Sequence, residues 1–174
     1  IDRLAKKMPA NVTVVADVGQ NQIWTCTEYK FRKEGRLLTS GGMGTMGYSV
    51  PAAIGAKMAD NSRATVAICG DGAFQMSFME LATAVQFGVD IKVVVMTNNR
   101  LGMVRELQTN GYHDRQTAVF LDGSPDFIKL AEAYGIPAMR VYDDDTMEKG
   151  VEMLAEHKGI CLVEVVVDKD MPTL

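Results

Sequence analysis

Asp71 and the pair Asn98-Asn99 are the residues of this chain best placed to do chemistry. Gly70-Asp71-Gly72 closes one apolar run, residues 64–69, and Asn98-Asn99 closes a second, residues 91–97. A carboxylate and an amide at two such ends offer oxygen ligands with no His or Cys among them. Oxygen ligands of this kind suit a hard cation such as Mg²⁺. The turn after Asn98 can add a backbone carbonyl. Mg²⁺ keeps a near-octahedral shell and fills it with phosphate oxygens and water. The residues therefore propose a site that clamps a diphosphate through Mg²⁺.

The elements that must position these groups follow from hydrophobic pattern. Runs rich in Val and Ile without alternation read as parallel strands covered on both faces. Six such strands are expected, at 12–17, 37–39, 64–69, 91–97, 138–142 and 160–167. Between them the pattern predicts helices at 23–29, 48–59, 76–87, 103–109, 124–135 and 145–157. Met76, Met79, Leu81, Ala84 and Val85 are read as the apolar face of the helix over 76–87. Ser124 reads as an N-cap with Pro125 in first position, and Gly88 and Gly135 read as stops. Strands alternating with helices imply an α/β fold, a three-layer α/β/α arrangement around a six-stranded parallel sheet. In such sheets ligands bind beyond the carboxyl ends of the strands. Residues 110–123 form the longest irregular stretch, and the first eight residues read as the end of an amphipathic helix.

Three glycine-bearing turns follow strands and precede helices: Gly19-Gln20-Asn21, Gly42 to Gly47, and Gly70 to Ala73. Such turns present backbone N–H groups to anions, and glycine allows close approach. Gly42, Gly44 and Gly47 also match the dinucleotide fingerprint, with Asp71 near the place of a ribose-binding acid. That reading gives a nicotinamide-dependent oxidoreductase but leaves Asn98 and Asn99 without a role.

A net charge of −4 leaves no basic footprint for nucleic acid, and no apolar run is long enough for a membrane helix. Cys26, Cys69 and Cys161 are too widely spaced for a metal knuckle. They read as small buried hydrophobes in a reducing cytoplasm. His113 and His157 read as surface residues. The 174 residues fit a single domain, and the absence of an initiating Met suggests part of a longer chain.

Gly70-Asp71-Gly72, 25 residues, then Asn98-Asn99 resembles the thiamine-diphosphate motif. Over essentially its whole length the chain is similar to the C-terminal, diphosphate-binding domain of enzymes related to acetolactate synthase (acetohydroxyacid synthase, large subunit). The stretches that carry the likeness are residues 17–24, residues 39–48 with Pro51 to Gly55, and Leu101-Gly102-Met103-Val104. The resemblance implies that Asp71, the Asn98 side chain and the Arg100 carbonyl hold Mg²⁺. It implies that Gln20, Asn21, Gly70 and the backbone of Gly72 and Ala73 meet the diphosphate of thiamine diphosphate. It gives the Gly44 carbonyl to the aminopyrimidine and makes Met46 the wedge that bends the cofactor. Gly102, Met103 and Val104 would line the diphosphate and thiazolium region.

The resemblance further implies condensation of 2-oxo acids in branched-chain amino-acid biosynthesis, by a homo-oligomer such as a homodimer. No catalytic residue is expected in this chain. The activating glutamate would come from a pyrimidine-binding domain of a partner subunit, so the isolated chain should show no turnover and weak cofactor affinity. The helix over 48–59, rich in Ala and Gly, is the candidate contact element, and Glu80 is read as structural or as an inter-domain contact. Two positions depart from the family: Leu107 stands where a Trp is usual, and Asn21 where a His is common. The Leu107 departure leaves the acceptor open. A 2-oxo-acid decarboxylase of the same superfamily and a non-catalytic interaction domain are the other readings.

Overall fold

The unalternating apolar runs become strands buried on both faces. A computed structural model describes residues 1–173. Its strands are β1 (Thr13–Ala16), β2 (Arg36–Thr39), β3 (Thr65–Gly70), β4 (Lys92–Thr97), β5 (Ala138–Val141) and β6 (Cys161–Val166). They form one six-stranded sheet in the order β2-β1-β3-β4-β6-β5, and every pairing is parallel. Parallel neighbours need long crossovers. The helices are α1 (Asp2–Lys7), α2 (Gln20–Glu28), α3 (Ser49–Ala59), α4 (Asp71–Gln75), α5 (Leu81–Gln86), α6 (Gly102–Gly111), α7 (Phe127–Ala133) and α8 (Asp144–Glu156).

Successive side chains of a strand face opposite ways. Val15, Ala67, Cys69, Val93, Val95 and Leu162 pack with Val50 and Ala53 of α3, Leu81 and Ala84 of α5, and Phe127 and Ala131 of α7. Val14, Val66, Ile68, Val94 and Val163 pack with Leu4 and Ala5 of α1 and Leu154 of α8. The result is the expected three-layer α/β/α sandwich. Strand order reverses beside β1, whose neighbours are β2 and β3. Such a reversal opens a crevice at the carboxyl ends of the strands.

Several local expectations change. The helix expected over 76–87 is broken. Asp71 itself begins α4, Ser77 leaves helical geometry (φ −144°, ψ 9°), and a 3₁₀ turn, Phe78–Glu80, precedes α5. The break resets the helical phase, so Leu81 and Ala84 are buried while Met76, Met79 and Val85 are exposed. Ser124 does not cap α7. Its hydroxyl donates to the Leu121 carbonyl and accepts from Gln75, and Asp126 caps the helix instead, accepting from the Ile128 and Lys129 N–H groups. The second helix starts at Gln20, not Ile23, because Gly19 takes φ +144° and turns the chain at once. Cys26 is exposed, unlike buried Cys69 and Cys161. Its place on the outer side of α2 is not visible in composition.

Gly88 and Gly135 do mark helix ends, at φ +60° and +71°. Residues 110–123 are fastened back to the sheet end. The Leu101 N–H donates to the Val119 carbonyl and the Leu121 N–H to the Asn99 carbonyl.

Candidate functional site

Asp71 follows Gly70, the last residue of β3, and is almost fully buried. A carboxylate out of water requires donors. The Gly72 N–H supplies one to Oδ1 (2.8 Å), and the Asn99 N–H supplies one to Oδ2 (2.7 Å). Asn99 can aim its N–H there because it adopts φ +55°, a conformation Asn tolerates. Asp71 thus ties the end of β3 to the end of β4. Burial pushes its pKa up to about 6, against the pull of these backbone N–H groups. A cation beside Asp71 would oppose that shift.

Asn98 lies in the turn that follows β4. Its Oδ1 accepts from the Arg100 N–H (3.1 Å), and its Nδ2 donates to Gln20 Oε1 (3.4 Å). The Arg100 guanidinium is spent elsewhere. It donates to the Asn99 carbonyl and Asp122 and stacks over the Phe120 ring at 4.6 Å. The Arg100 carbonyl accepts no hydrogen bond among the described residues. No cluster of three His, Cys, Asp or Glu side chains exists among the described residues. A cation held here would need oxygens from amide, carbonyl and ligand, the donor set of Mg²⁺.

The glycines around Asp71 are places where a side chain has no room. A Cβ on Gly72 would stand 2.7 Å from Leu101 Cδ2 and 3.4 Å from Met46 Cε. A Cβ on Gly102 would stand 1.9 Å from Gln20 Oε1, and one on Gly70 would stand 3.2 Å from Asn21 Oδ1. These clearances let backbone N–H groups border a cavity without side chains in front.

Gln20, Asn21, Met46, Gly70, Asp71, Gly72, Ala73, Asn98, Arg100, Gly102, Met103 and Val104 all line one pocket at the ends of β1, β3 and β4. Gly44 does not line it; it sits on the exposed loop before α3 with φ +64°. Val18, Gly19, Trp24, Met96, Leu101 and Val167 complete the wall and were not singled out as site residues from sequence. Val18, Gly19, Trp24 and Leu101 lie within the stretches that carry the family likeness; Met96 and Val167 lie in apolar runs with nothing local to mark them as pocket residues.

Two side chains are committed in ways the sequence does not reveal. Asn21 turns its amide inward, donating to the Asp17 carbonyl (2.8 Å) and the Ile68 carbonyl (3.3 Å). Gln20 Nε2 donates to the Met171 carbonyl (3.0 Å) and Thr173 Oγ1 (3.1 Å). The segment after β6 is thus drawn across α2 and α6, where Trp24 donates to the Pro172 carbonyl and Thr173 bonds Glu106.

The pocket thus brings one carboxylate, one amide and several glycine clearances together at a strand-order reversal of a parallel α/β sheet. Residues 17–165 match the family "Thiamine pyrophosphate enzyme, C-terminal TPP binding domain", and the chain belongs to it. Among curated relatives, the chain is 42% identical over 161 residues to the mitochondrial acetolactate synthase catalytic subunit of Aspergillus candidus. That alignment covers 92% of this chain and 23% of the relative. It is 42% identical over 156 residues to the acetolactate synthase large subunit of Lactococcus lactis, covering 90% and 27%. It is 35% identical over 169 residues to the isozyme 2 large subunit of Escherichia coli, covering 97% and 31%. The chain therefore spans about a quarter to a third of the length of these relatives.

Proposed function

We propose that this chain is the diphosphate-binding, C-terminal domain of an acetolactate synthase that uses thiamine diphosphate and Mg²⁺ to condense 2-oxo acids. The observation that carries the reading is the meeting of Asp71 and Asn98 at the ends of adjacent strands, with Gly70, Gly72 and Gly102 leaving backbone exposed to one pocket. Asp71, Asn98 Oδ1 and the Arg100 carbonyl would hold the cation, whose remaining positions go to diphosphate oxygens and water. Gly72 and Ala73 would meet the diphosphate through backbone N–H groups, and Gln20 and Asn21, whose side chains are committed elsewhere, through the backbone N–H groups of the first turn of α2. Met46, Met103 and Val104 would form the apolar wall around the ring system and exclude water from it.

When bound, thiamine diphosphate supplies the nucleophilic carbon and electron sink for decarboxylating one 2-oxo acid and joining the remainder to a second. This chain's part is to anchor and orient. Asp71 is the one carboxylate that lines the pocket among the described residues, and it is assigned to the cation. A proton-relaying carboxylate must then come from elsewhere, which fits a pyrimidine-binding domain of a partner subunit in a homo-oligomer. Pro51, Gly55, Met58 and Ala59 form an exposed small and apolar stripe on α3, and Met76, Met79 and Phe87 are exposed on elements that pack on the same side of the sheet. That face is offered to the partner. Among the described residues no helix is long and apolar enough to cross a membrane. Independently of that, we propose a cytoplasmic location; the Aspergillus candidus relative is named mitochondrial.

The nicotinamide reading loses its physical basis at α3. The Ser49 N–H at the start of that helix already donates to Asp17 Oδ2 (2.7 Å), and the loop carrying Gly42 and Gly44 is exposed. Calorimetric titration separates the two readings. Thiamine diphosphate should bind only with Mg²⁺ present, NAD should give no heat, and Asp71→Ala should abolish the former. Mg²⁺-independent binding, or NAD binding that survives Asp71→Ala, would contradict the proposal.

A further inference from the structure

Asp17 does not line the pocket, yet it is fully buried just beyond β1. A buried carboxylate must find donors for its oxygens. Asp17 takes them from backbone alone. Oδ1 accepts from Val18 (2.9 Å) and Gly47 (3.0 Å), and Oδ2 accepts from Ser49 (2.7 Å). Its own backbone joins two more elements: its N–H donates to the Ile68 carbonyl of β3, and its carbonyl accepts from Asn21 of α2.

The loop that Asp17 grips has little else. Residues 41–45 are exposed, and the Gly44 and Thr45 N–H groups bond only back to Ser40. Among the described residues, no other side chain from outside residues 40–49 hydrogen-bonds to this loop. Gly47 sits at φ +83°, and a Cβ there would stand 3.0 Å from Met76 Cβ. The loop end is therefore fixed between Asp17 and Met76. From that fixed end Met46 projects into the pocket, its Cε 3.4 Å from where a Gly72 Cβ would stand.

We infer that Asp17 is a positioning residue: by holding Gly47 and Ser49 it sets the position of Met46 over the clamp, and so governs how the thiamine end of the cofactor is held. The inference rests on the proposed function. It separates two ends of one ligand, because Asp17 should act on the thiamine moiety and not on the Mg²⁺–diphosphate.

The test titrates the whole chain with Mg²⁺–thiamine diphosphate and, separately, with Mg²⁺–pyrophosphate. The Asp17→Asn variant keeps the size of the side chain but turns one acceptor into a donor facing a backbone N–H. It should weaken thiamine diphosphate about tenfold and leave pyrophosphate within about twofold. Met46→Ala should show the same pattern, and the double variant should be little worse than either single one, because coupled residues do not add. Equal losses for both probes, no loss, or additive losses would overturn the inference. Amide exchange in the unaltered chain gives a readout that needs no variant. The Gly47 and Ser49 amides should slow further with thiamine diphosphate but not with pyrophosphate, and slowing with both or neither would overturn it. If the unaltered chain binds neither probe, the proposed function itself falls, and the inference with it.

Discussion

Removing the charge from Asp71 should change how the stability of the chain responds to pH. The Asp71 carboxyl has an ordinary pKa of 3.8 and is pushed to about 6 by burial in the folded chain. Between these values the folded state holds a proton that the unfolded state has released. Stability therefore falls as pH rises, because the slope follows the excess protons of the unfolded state. Asp71's favourable contribution is fully present below pH 3.8 and lost as pH passes through about 6. At about 1.4 kcal/mol per pH unit the span amounts to about 3 kcal/mol, most of it between pH 4 and pH 7. Asp71→Asn has no proton to lose at this position. Urea unfolding of both proteins without metal, at several pH values, cancels the other titrating groups. The stability of the variant relative to the parent should rise by about 3 kcal/mol across that range. Adding Mg²⁺ and thiamine diphosphate should invert the parent's slope, since cation and proton compete for one carboxylate. A pH-independent difference between the two proteins would refute the reasoning.

Three further outcomes follow from the geometry. Gly47→Ala places a side chain at φ +83° against Met76 and should cost roughly 1–3 kcal/mol in urea unfolding. Arg140→Ala should cost roughly 3 kcal/mol by the same measurement, because Glu164, buried on β6, would lose the guanidinium that donates to it at 2.6 Å. Asp126 accepts from the same guanidinium at 2.8 Å, so the loss should exceed that of Asp126→Asn. The purified chain should form no acetolactate from pyruvate in a colorimetric assay, even with saturating cofactor and Mg²⁺, and measurable turnover would mean that the proton-relaying group lies in this chain.

The sheet was legible because a parallel strand covered on both faces needs apolar residues without alternation, and residues 64–69 and 91–97 have them. Much of the pocket lining was legible because Asp71, Asn98 and the glycines beside them sit at strand ends, where sequence position and spatial position coincide. The break at Ser77 was not, since a run of Met, Leu and Ala fits either a continuous helix or two short ones. Asp126 displaced Ser124 as the cap of α7, and Arg140, 14 residues away, holds its side chain in place. Asp17 read as the end of a strand and the start of the stretch 17–24, with no role of its own. Its partners Gly47 and Ser49 lie 30 and 32 residues further on, beyond any local pattern. The commitment of Gln20 to Met171 and Thr173 spans still more of the chain.

The most direct test of the central claim is where a divalent cation binds. Anomalous diffraction from a crystal grown with Mn²⁺ and thiamine diphosphate should place the metal about 2.1 Å from an Asp71 carboxylate oxygen, Asn98 Oδ1 and the Arg100 carbonyl, with diphosphate oxygens completing its shell. A metal held elsewhere, or a diphosphate seated in the pocket without contact to Asp71 and Asn98, would contradict the account.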